Sequence, residues 1–389
     1  MQLSFCPSAD FDQLKQALTA LEAQNEIHSA LVFAADANGW SDEQLNPLLT
    51  RSRLTLVGGL FPQIIYQHQA YEQGFVLLAL STPLDWAVIP GLSDPEQDFD
   101  APLEALADAW EASDHEEQAA THLLLVDGLA TRIATLIESV FDQFGLAHPH
   151  IGGGAGSLSF EQKPCIITPE GLMMDVALLA RLPLRASLGV AHGWQPISLP
   201  MEVTRAHKNE VHQLNWQPAF QRYQTEIEAH SGQKISADSF FDLAKSYPLG
   251  INRLGAELLV RDPLLVKNQS TLVCVGEVPE GALVRLLTGS PASLIEAAGQ
   301  ATLDAERLWQ QQNTHDAEIT LVIDCISRVL FMGEQINQEL AQTGTARPQF
   351  GVLSLGEIAN AGQDYLAFYN KTIVVGLLGQ DKGVTGTTE

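Results

Sequence analysis

The sequence predicts an α/β protein in two domains, with mixed sheets built from repeated strand–helix–strand–strand units. Three observations carry this reading. A short apolar strand, an amphipathic helix, a glycine-marked strand and a further apolar run occur three times, beginning at residues 31–33, 124–126 and 321–323. The spacing is nearly constant: Val32 to Gly59 and Val126 to Gly153 are each 27 residues, and Ile323 to Gly351 is 28. The helical stretches carry apolar residues every three to four positions, while the flanking runs are continuously apolar, as strands buried on both faces are. Units of this length favour right-handed crossovers with helices covering the sheet.

The elements follow in order. Phe11, Leu14, Leu18 and Leu21 give residues 11–23 a helical stripe. The helix of copy one is short, because Ser41 and Gln44 match a capping box and Pro47 limits its length. A loop rich in Asp, Pro and Gly over 91–100 leads to a helix at about 102–112. Copy two has the clearest helix: Ile133, Leu136, Ile137, Val140 and Phe144 share one face, and Gly145 stands at the C-terminal cap. Two or three strands then lead to His192-Gly193-Trp194. Beyond residue 195 the texture changes to a polar, His-bearing stretch (204–215), a helix near 217–229 and short strands at 257–260, 272–275 and 282–287. Pro291 opens another helix, with Leu294, Ala297, Ala298, Ala301 and Leu308 as its buried stripe. Copy three closes the fold. The expected division is 1–195 and 196–379, with a disordered polar tail over 380–389. The consecutive apolar strands after each glycine predict adjacent antiparallel pairs.

Bulk composition excludes several classes of partner. The chain has 389 residues, 46% hydrophobic, enough for large cores. Its formal charge of −26 and the absence of any Lys/Arg cluster argue against nucleic acid and anionic membranes. The apolar runs are strand length, so no membrane span is expected. Cys6, Cys165, Cys274 and Cys325 are widely separated and the first residues lack a basic, apolar leader; both features predict a cytoplasmic protein with reduced thiols.

Candidate chemistry is sparse. The run Gly152-Gly153-Gly154-Ala155-Gly156 lacks the lysine and following helix of a phosphate loop, so a bulge or a close backbone approach fits it better than a phosphate cradle. Asp127 and Asp324 both stand at the carboxyl end of a first strand, where open α/β sheets form crevices and where carboxylates also cap helices. His192-Gly193-Trp194 suits either a pocket wall or a packed aromatic corner. No nucleophile elbow and no zinc-ligand spacing is present.

The glycine strand, His192-Gly193-Trp194 and Val203-Thr204-Arg205 are followed in order by Val260-Arg261-Asp262-Pro263, the segment 278–286, Asp324-Cys325-Ile326-Ser327-Arg328, Leu355-Gly356-Glu357-Ile358 and Asn370-Lys371-Thr372. Together they resemble the FIST family, with its N-terminal and C-terminal domains, from about residue 28 to 378. The resemblance implies a sensory module of signal transduction that binds a small ligand, an amino acid or related metabolite, with no catalytic motif and no required cofactor. As an alternative it implies a haem-binding nitric oxide sensor, with His192 as the proximal ligand. No kinase, methyl-accepting or GGDEF-type segment occurs in the sequence. A free-standing receptor is therefore expected to signal to a partner such as a histidine kinase or a cyclic-di-GMP enzyme.

A zwitterionic ligand needs a cation for its carboxylate and a carboxylate for its ammonium. Arg205 or Arg328 can supply the first, and Glu357, Asp127 or Asp324 the second. Arg328 and Glu357, which flank the glycine strand of copy three, are the first pair expected; a buried structural ion pair fits them equally well. His192 and Trp194 are expected in the pocket wall, and Gly153 where backbone approaches the ligand.

Overall fold

The computed structural model describes residues 1–112, 120–237, 240–253, 257–344, 346–360 and 365–380; the tail expected beyond Gln380 lies outside them. Three copies of one unit build the body. Copy one is β1 (Gln2–Cys6), α1 (Phe11–Glu22), β2 (Ser29–Ala35), α2 (Asp42–Leu49), β3 (Thr55–Phe61), the hairpin β4 (Gln63–Tyr66) and β5 (Gln69–Tyr71), then β6 (Phe75–Leu80). Copy two repeats it as β7 (Asp85–Pro90), α3 (Asp100–Glu111), β8 (Thr121–Asp127), α4 (Ile133–Phe144), β9 (His150–Ala155), β10 (Ile166–Thr168), β11 (Gly171–Met173) and β12 (Val176–Leu182).

Copy three starts with β13 (Arg185–Ala191) and is then interrupted. The inserted stretch holds β14 (Gln195–Pro196), β15 (Met201–His207), β16 (Glu210–Leu214), β17 (Gln217–Pro218), α5 (Ala219–Ser231), α6 (Phe240–Ala244), β18 (Leu249–Ile251), β19 (Leu259–Lys267), β20 (Thr271–Val275) and β21 (Leu283–Thr288). The copy resumes with α7 (Pro291–Gln312), β22 (Ile319–Cys325), α8 (Ile326–Met332), α9 (Ile336–Leu340), β23 (Gln349–Ser354), β24 (Glu357–Asn360), β25 (Leu366–Tyr369) and β26 (Ile373–Gly379).

Each copy makes the same three-strand nucleus. Its first and glycine strands run parallel, and its last strand pairs antiparallel with the first. The registers Val32↔Gly58, Leu124↔Gly152 and Val322↔Gly351 are equivalent. At each, a Cβ on the glycine would lie 1.8–1.9 Å from the partner's carbonyl oxygen. Glycine is therefore required three times by one close backbone approach. The structural register makes Gly58, rather than Gly59, the counterpart of Gly351.

The hairpins do not stay at home. Strand β4 of copy one pairs with β23 of copy three, β10 of copy two with β3 of copy one, and β24 of copy three with β9 of copy two. The last apolar strands β6, β12 and β26 pair antiparallel within their own copies, whereas the hairpins are exchanged cyclically between copies. The resulting three six-stranded sheets each contain strands from two copies, β13 serving as an edge of the third. Their inner faces meet in one core, where Phe33 packs against both Phe61 and Phe350. Alternation within a strand divides the two faces: Leu123 and Leu125 enter the common core, while Leu124 and Val126 meet the stripe of α4. Helices α1 and α2, α3 and α4, and α7 to α9 cover the outer faces.

The insertion forms its own body. Strands β21, β15, β16, β20, β19 and β18 pair antiparallel in that order, and β18 pairs again with β21, closing a six-stranded barrel. Its core centres on Met201, Val203, Tyr223, Leu249, Leu272 and Leu286. Among the described residues no helix is long and apolar enough to cross a membrane.

One buried cluster links copies two and three. His150 Nδ1 lies 2.9 Å from the His148 carbonyl, which can only accept, so Nε2 accepts from His122 Nδ1 at 3.1 Å. Burial pushes His150 down to about 4 and lowers His122 and His148 too, with neighbouring histidines adding to the effect at His122 and His150 and the Arg181 charge at His148. A histidine depressed below its unfolded value of 6.5 contributes full stability above that pH and loses it as pH falls toward about 4. Unfolding free energy is accordingly expected to drop as pH falls from 6.5 to 4. His150→Asn, which keeps a donor for the His148 carbonyl, should flatten that slope by up to about 3 kcal/mol; denaturant titrations across pH check it. The glycine register gives a second expectation. Gly351→Ala should cost about 3 kcal/mol or more. Gly299→Ala in α7, whose nearest neighbour atom is 3.8 Å away, should stabilise by about 0.5–1 kcal/mol.

Candidate functional site

A cavity of about 330 Å³ opens where three parts of the chain converge. One wall is the turn that leaves β8 and enters α4, from Gly128 to Ala134. The floor comes from copy three: Cys325 to Ser327 after β22, Leu355 and Gly356 before β24, and Phe368 and Asn370 at the end of β25. The third side belongs to the barrel, through the Lys208–Asn209 turn, Phe241 and the segment 274–277. The hairpin exchange creates this seam, because β24 lies on β9 of copy two and carries Gly356 beside Gly154.

Most of the lining is apolar, including Leu129, Ile133, Ile326, Leu355 and Phe368. Its polar groups are few. Asn370 is 1% exposed, and among the described residues neither its Oδ1 nor its Nδ2 has a partner. An unmet buried amide of this kind costs about 1–3 kcal/mol for each group left unpaired. Lys208 stands exposed at the rim, while Glu277 is half-buried across from α4. Burial raises the Glu138 carboxyl on α4, helped by the nearby charge of Glu277. Behind Gly276, the Arg261 guanidinium donates to the carbonyls of Glu277, Val260 and Phe368 at 2.8–3.0 Å. Among the described residues it pairs with no carboxylate, and burial lowers it to about 10. Its neighbour Asp262 is taken by Lys371 at 3.1 Å.

Arg328 and Glu357 are not brought together in this cavity. Arg328 is a fully buried residue of α8, and all five of its N–H donors are used. Nε and Nη2 bind Glu339, Nη1 binds the carbonyls of His192 and Lys371, and Nη2 also reaches the Leu294 carbonyl. It is a staple that holds α7, α8, α9 and two turns in place, with no donor left for a ligand. Asp324 lies 3.3 Å from it and binds the Cys325 N–H. Glu357 accepts from Ser354 Oγ and the Thr372 N–H, with the Cys325 thiol as a further donor. Burial pushes Glu357 up to about 8, so it is protonated at neutral pH.

Asp127 and Asp324 proved not to be equivalent. Counting from the matched glycines, Cys325 opposite Ser354 corresponds to Asp127 opposite Ala155. One residue of offset turns a side chain to the other face. Asp324 therefore points to the helices, and Asp127 holds the Leu129 and Asp175 N–H groups and Gln162. Neither caps the helix that follows.

The remaining residues lie off the cavity. His192 Nδ1 accepts from the Trp194 N–H and its Nε2 faces Glu257 at 3.3 Å. Trp194 donates to the Lys371 carbonyl beneath the Lys371 ammonium. Arg205 is exposed on β15. Gly153 is packed against Gly356 and Ile323. Lys208, Glu277, Asn370 and Arg261 were the residues sequence reasoning missed as site groups. Two of them did lie in segments that carry the family resemblance, Val260-Arg261-Asp262-Pro263 and Asn370-Lys371-Thr372.

A haem does not fit these residues. The described lining contains no histidine, and its two cysteines, Cys274 and Cys325, are held as thiols, Cys274 being pushed up to about 12 by burial. His192, lowered to about 4 by burial, accepts the Trp194 N–H at Nδ1 and is not among the lining residues. Axial ligation needs a neutral imidazole or a thiolate facing open space.

Comparison with known families gives two matches. The model of the FIST N domain matches residues 28–217, and that of the FIST C domain matches residues 219–360. No curated protein matches the chain.

The Glu357 carboxyl sets the pH response of the floor. Its folded value of about 8 lies above the unfolded 4.5, so its contribution is complete below 4.5 and is lost as pH rises toward 8. Glu357→Gln keeps the hydrogen-bonding shape without the titration. The variant should lose about 3 kcal/mol less than the parent between pH 5 and 8 in denaturant unfolding; an unchanged slope contradicts the assignment.

Proposed function

This chain belongs to the FIST family, whose domains are associated with sensing in signal transduction rather than with catalysis, and we propose that it senses a small metabolite, an amino acid or a close relative, in the cavity at the seam. The observation that carries this reading is the cavity itself: about 330 Å³, mostly apolar with a few polar groups in its lining, where copies two and three meet the barrel. The charges around the cavity suit a zwitterion. Lys208 and Arg261 attract a carboxylate, and Glu277 attracts an ammonium. The volume fits a single small molecule.

Bound ligand touches the barrel and the three-sheet body at once, so occupancy biases how the two meet. That is the coupling a separate signalling partner, such as a histidine kinase or a cyclic-di-GMP enzyme, can read.

Binding to the folded state alone must raise thermal stability. At about 100 times Kd the gain is about 2.7 kcal/mol. A melting-temperature screen of the full-length protein against the twenty L-amino acids should find at least one that shifts the transition by a few degrees. The same ligand should give saturable heat in calorimetry. A panel with no shift and no saturable heat overturns the reading.

A further inference from the structure

We infer that Phe160 and Phe241 form an aromatic gate at the cavity, so that the site selects amino acids with aromatic side chains. This rests on the cavity being an amino-acid site, as proposed above.

Phe160 carries the argument. It lies in the connection between β9 and β10 and lines the cavity while remaining 53% exposed. Its backbone is left-handed, with φ +55°. A bulky residue in that region is an outlier that its surroundings must hold in place. Trp216 shares the conformation, but in the two-residue turn between β16 and β17, where a hairpin asks for positive φ. Phe160 closes no hairpin, since β9 and β10 pair with other strands. Tethers on the residues that follow hold its loop. Gln162 Nε2 donates to Asp127 Oδ2 at 2.8 Å, and Lys163 pairs with Asp36 at 2.6 Å. The fold thus accepts a strained backbone and an exposed apolar ring at one residue, and neither favours folding. A ligand that packs on a ring held in this position accounts for both.

Phe241 lines the same cavity from α6 and is 37% exposed. Its neighbour Phe240 is buried in the barrel core against Phe220 and Tyr223. Among the described residues neither Phe160 nor Phe241 makes contact with another aromatic ring. The floor, by contrast, is fixed. A Cβ on Gly356 would lie 2.3 Å from the Phe368 ring, and one on Gly156 2.7 Å from Leu355 Cδ1. Both apolar side chains are therefore pressed against glycine backbone. Two unpaired rings above a fixed apolar floor suit a flat apolar body. Each aromatic pair adds roughly two- to tenfold in affinity beyond the area it buries. Volume agrees. A cavity of about 150 Å³ holds one benzene ring. A volume of about 330 Å³ leaves room for a ring together with an amino-acid head.

Calorimetry of the full-length protein with L-phenylalanine, L-tyrosine, L-tryptophan and L-leucine tests the gate. At least one aromatic amino acid should bind about tenfold more tightly than L-leucine. Phe160→Asn removes the ring and places there a residue that tolerates the left-handed backbone. It should weaken binding of that aromatic amino acid about tenfold, while the ligand-free variant melts at or above the parent temperature. Phe241→Ser should weaken the same binding about threefold or more. Trp216→Ser removes an exposed ring that does not line the cavity, and should change affinity less than about twofold. L-Leucine binding as tightly as every aromatic amino acid overturns the gate. So does either Phe variant binding unchanged, a Phe160→Asn variant melting several degrees lower, or a Trp216→Ser loss equal to that of Phe160→Asn. If another amino acid of the full panel binds and no aromatic one does, the gate falls and the proposed function stands. If none binds, both fall.

Discussion

Each of the three sheets is finished by a hairpin from a different copy, and the rest of the molecule depends on that exchange. The ladders β23–β4, β3–β10 and β9–β24 tie copy three to one, one to two, and two to three. No copy completes its own sheet, so none can bury its edge alone. The shared core, with Phe33 between Phe61 and Phe350, forms only when all three are assembled. The glycines at 58, 152 and 351 permit the close parallel pairing from which each nucleus is built.

The same exchange places the cavity. Because β24 lies on β9, the ends of β8 and β22 open onto one seam, and the hairpin that bridges them brings Gly356, Phe368 and Asn370 to its floor. The barrel is inserted in copy three alone and adds the third side through its 208–209 turn and the 274–277 segment. Beneath the floor, charges are heavily concentrated but internally matched. Arg328 is saturated by Glu339 and three carbonyls, and Lys371 is paired with Asp262. This network fixes the turns on which the cavity residues sit. Arg261 adjoins that network and has no carboxylate partner among the described residues.

Much of the architecture was legible in the sequence. The recurrence of apolar strand, amphipathic helix and glycine strand is a local pattern, and local patterns survive translation into a fold. The capping box at Ser41 and Gln44 and the stripe of α4 came out where their spacing put them. What was not legible depends on relations between distant segments. Spacing alone cannot show that β4 pairs with β23, since apolar hairpins satisfy any open edge of the right register. A one-residue offset separated Asp127 from Asp324, and in a strand one residue reverses the face. The chemistry was harder still. Charged residues near the glycine strands looked like binding groups, yet burial had already engaged them with each other. That Asn370 lies in the cavity lining and Arg328 does not is a property of the fold and not of the residue type.

The central claim is that the seam between copies two and three, roofed by the barrel, is where ligand binds. Hydrogen–deuterium exchange of the full-length protein, with and without a saturating amino acid found by its melting shift, tests it most directly. Slowed exchange is expected in the segments 128–134, 274–277, 326–330 and 366–370, with the outer helices α1 and α2 unchanged. Binding that protects other surfaces and leaves those four segments untouched would contradict the account.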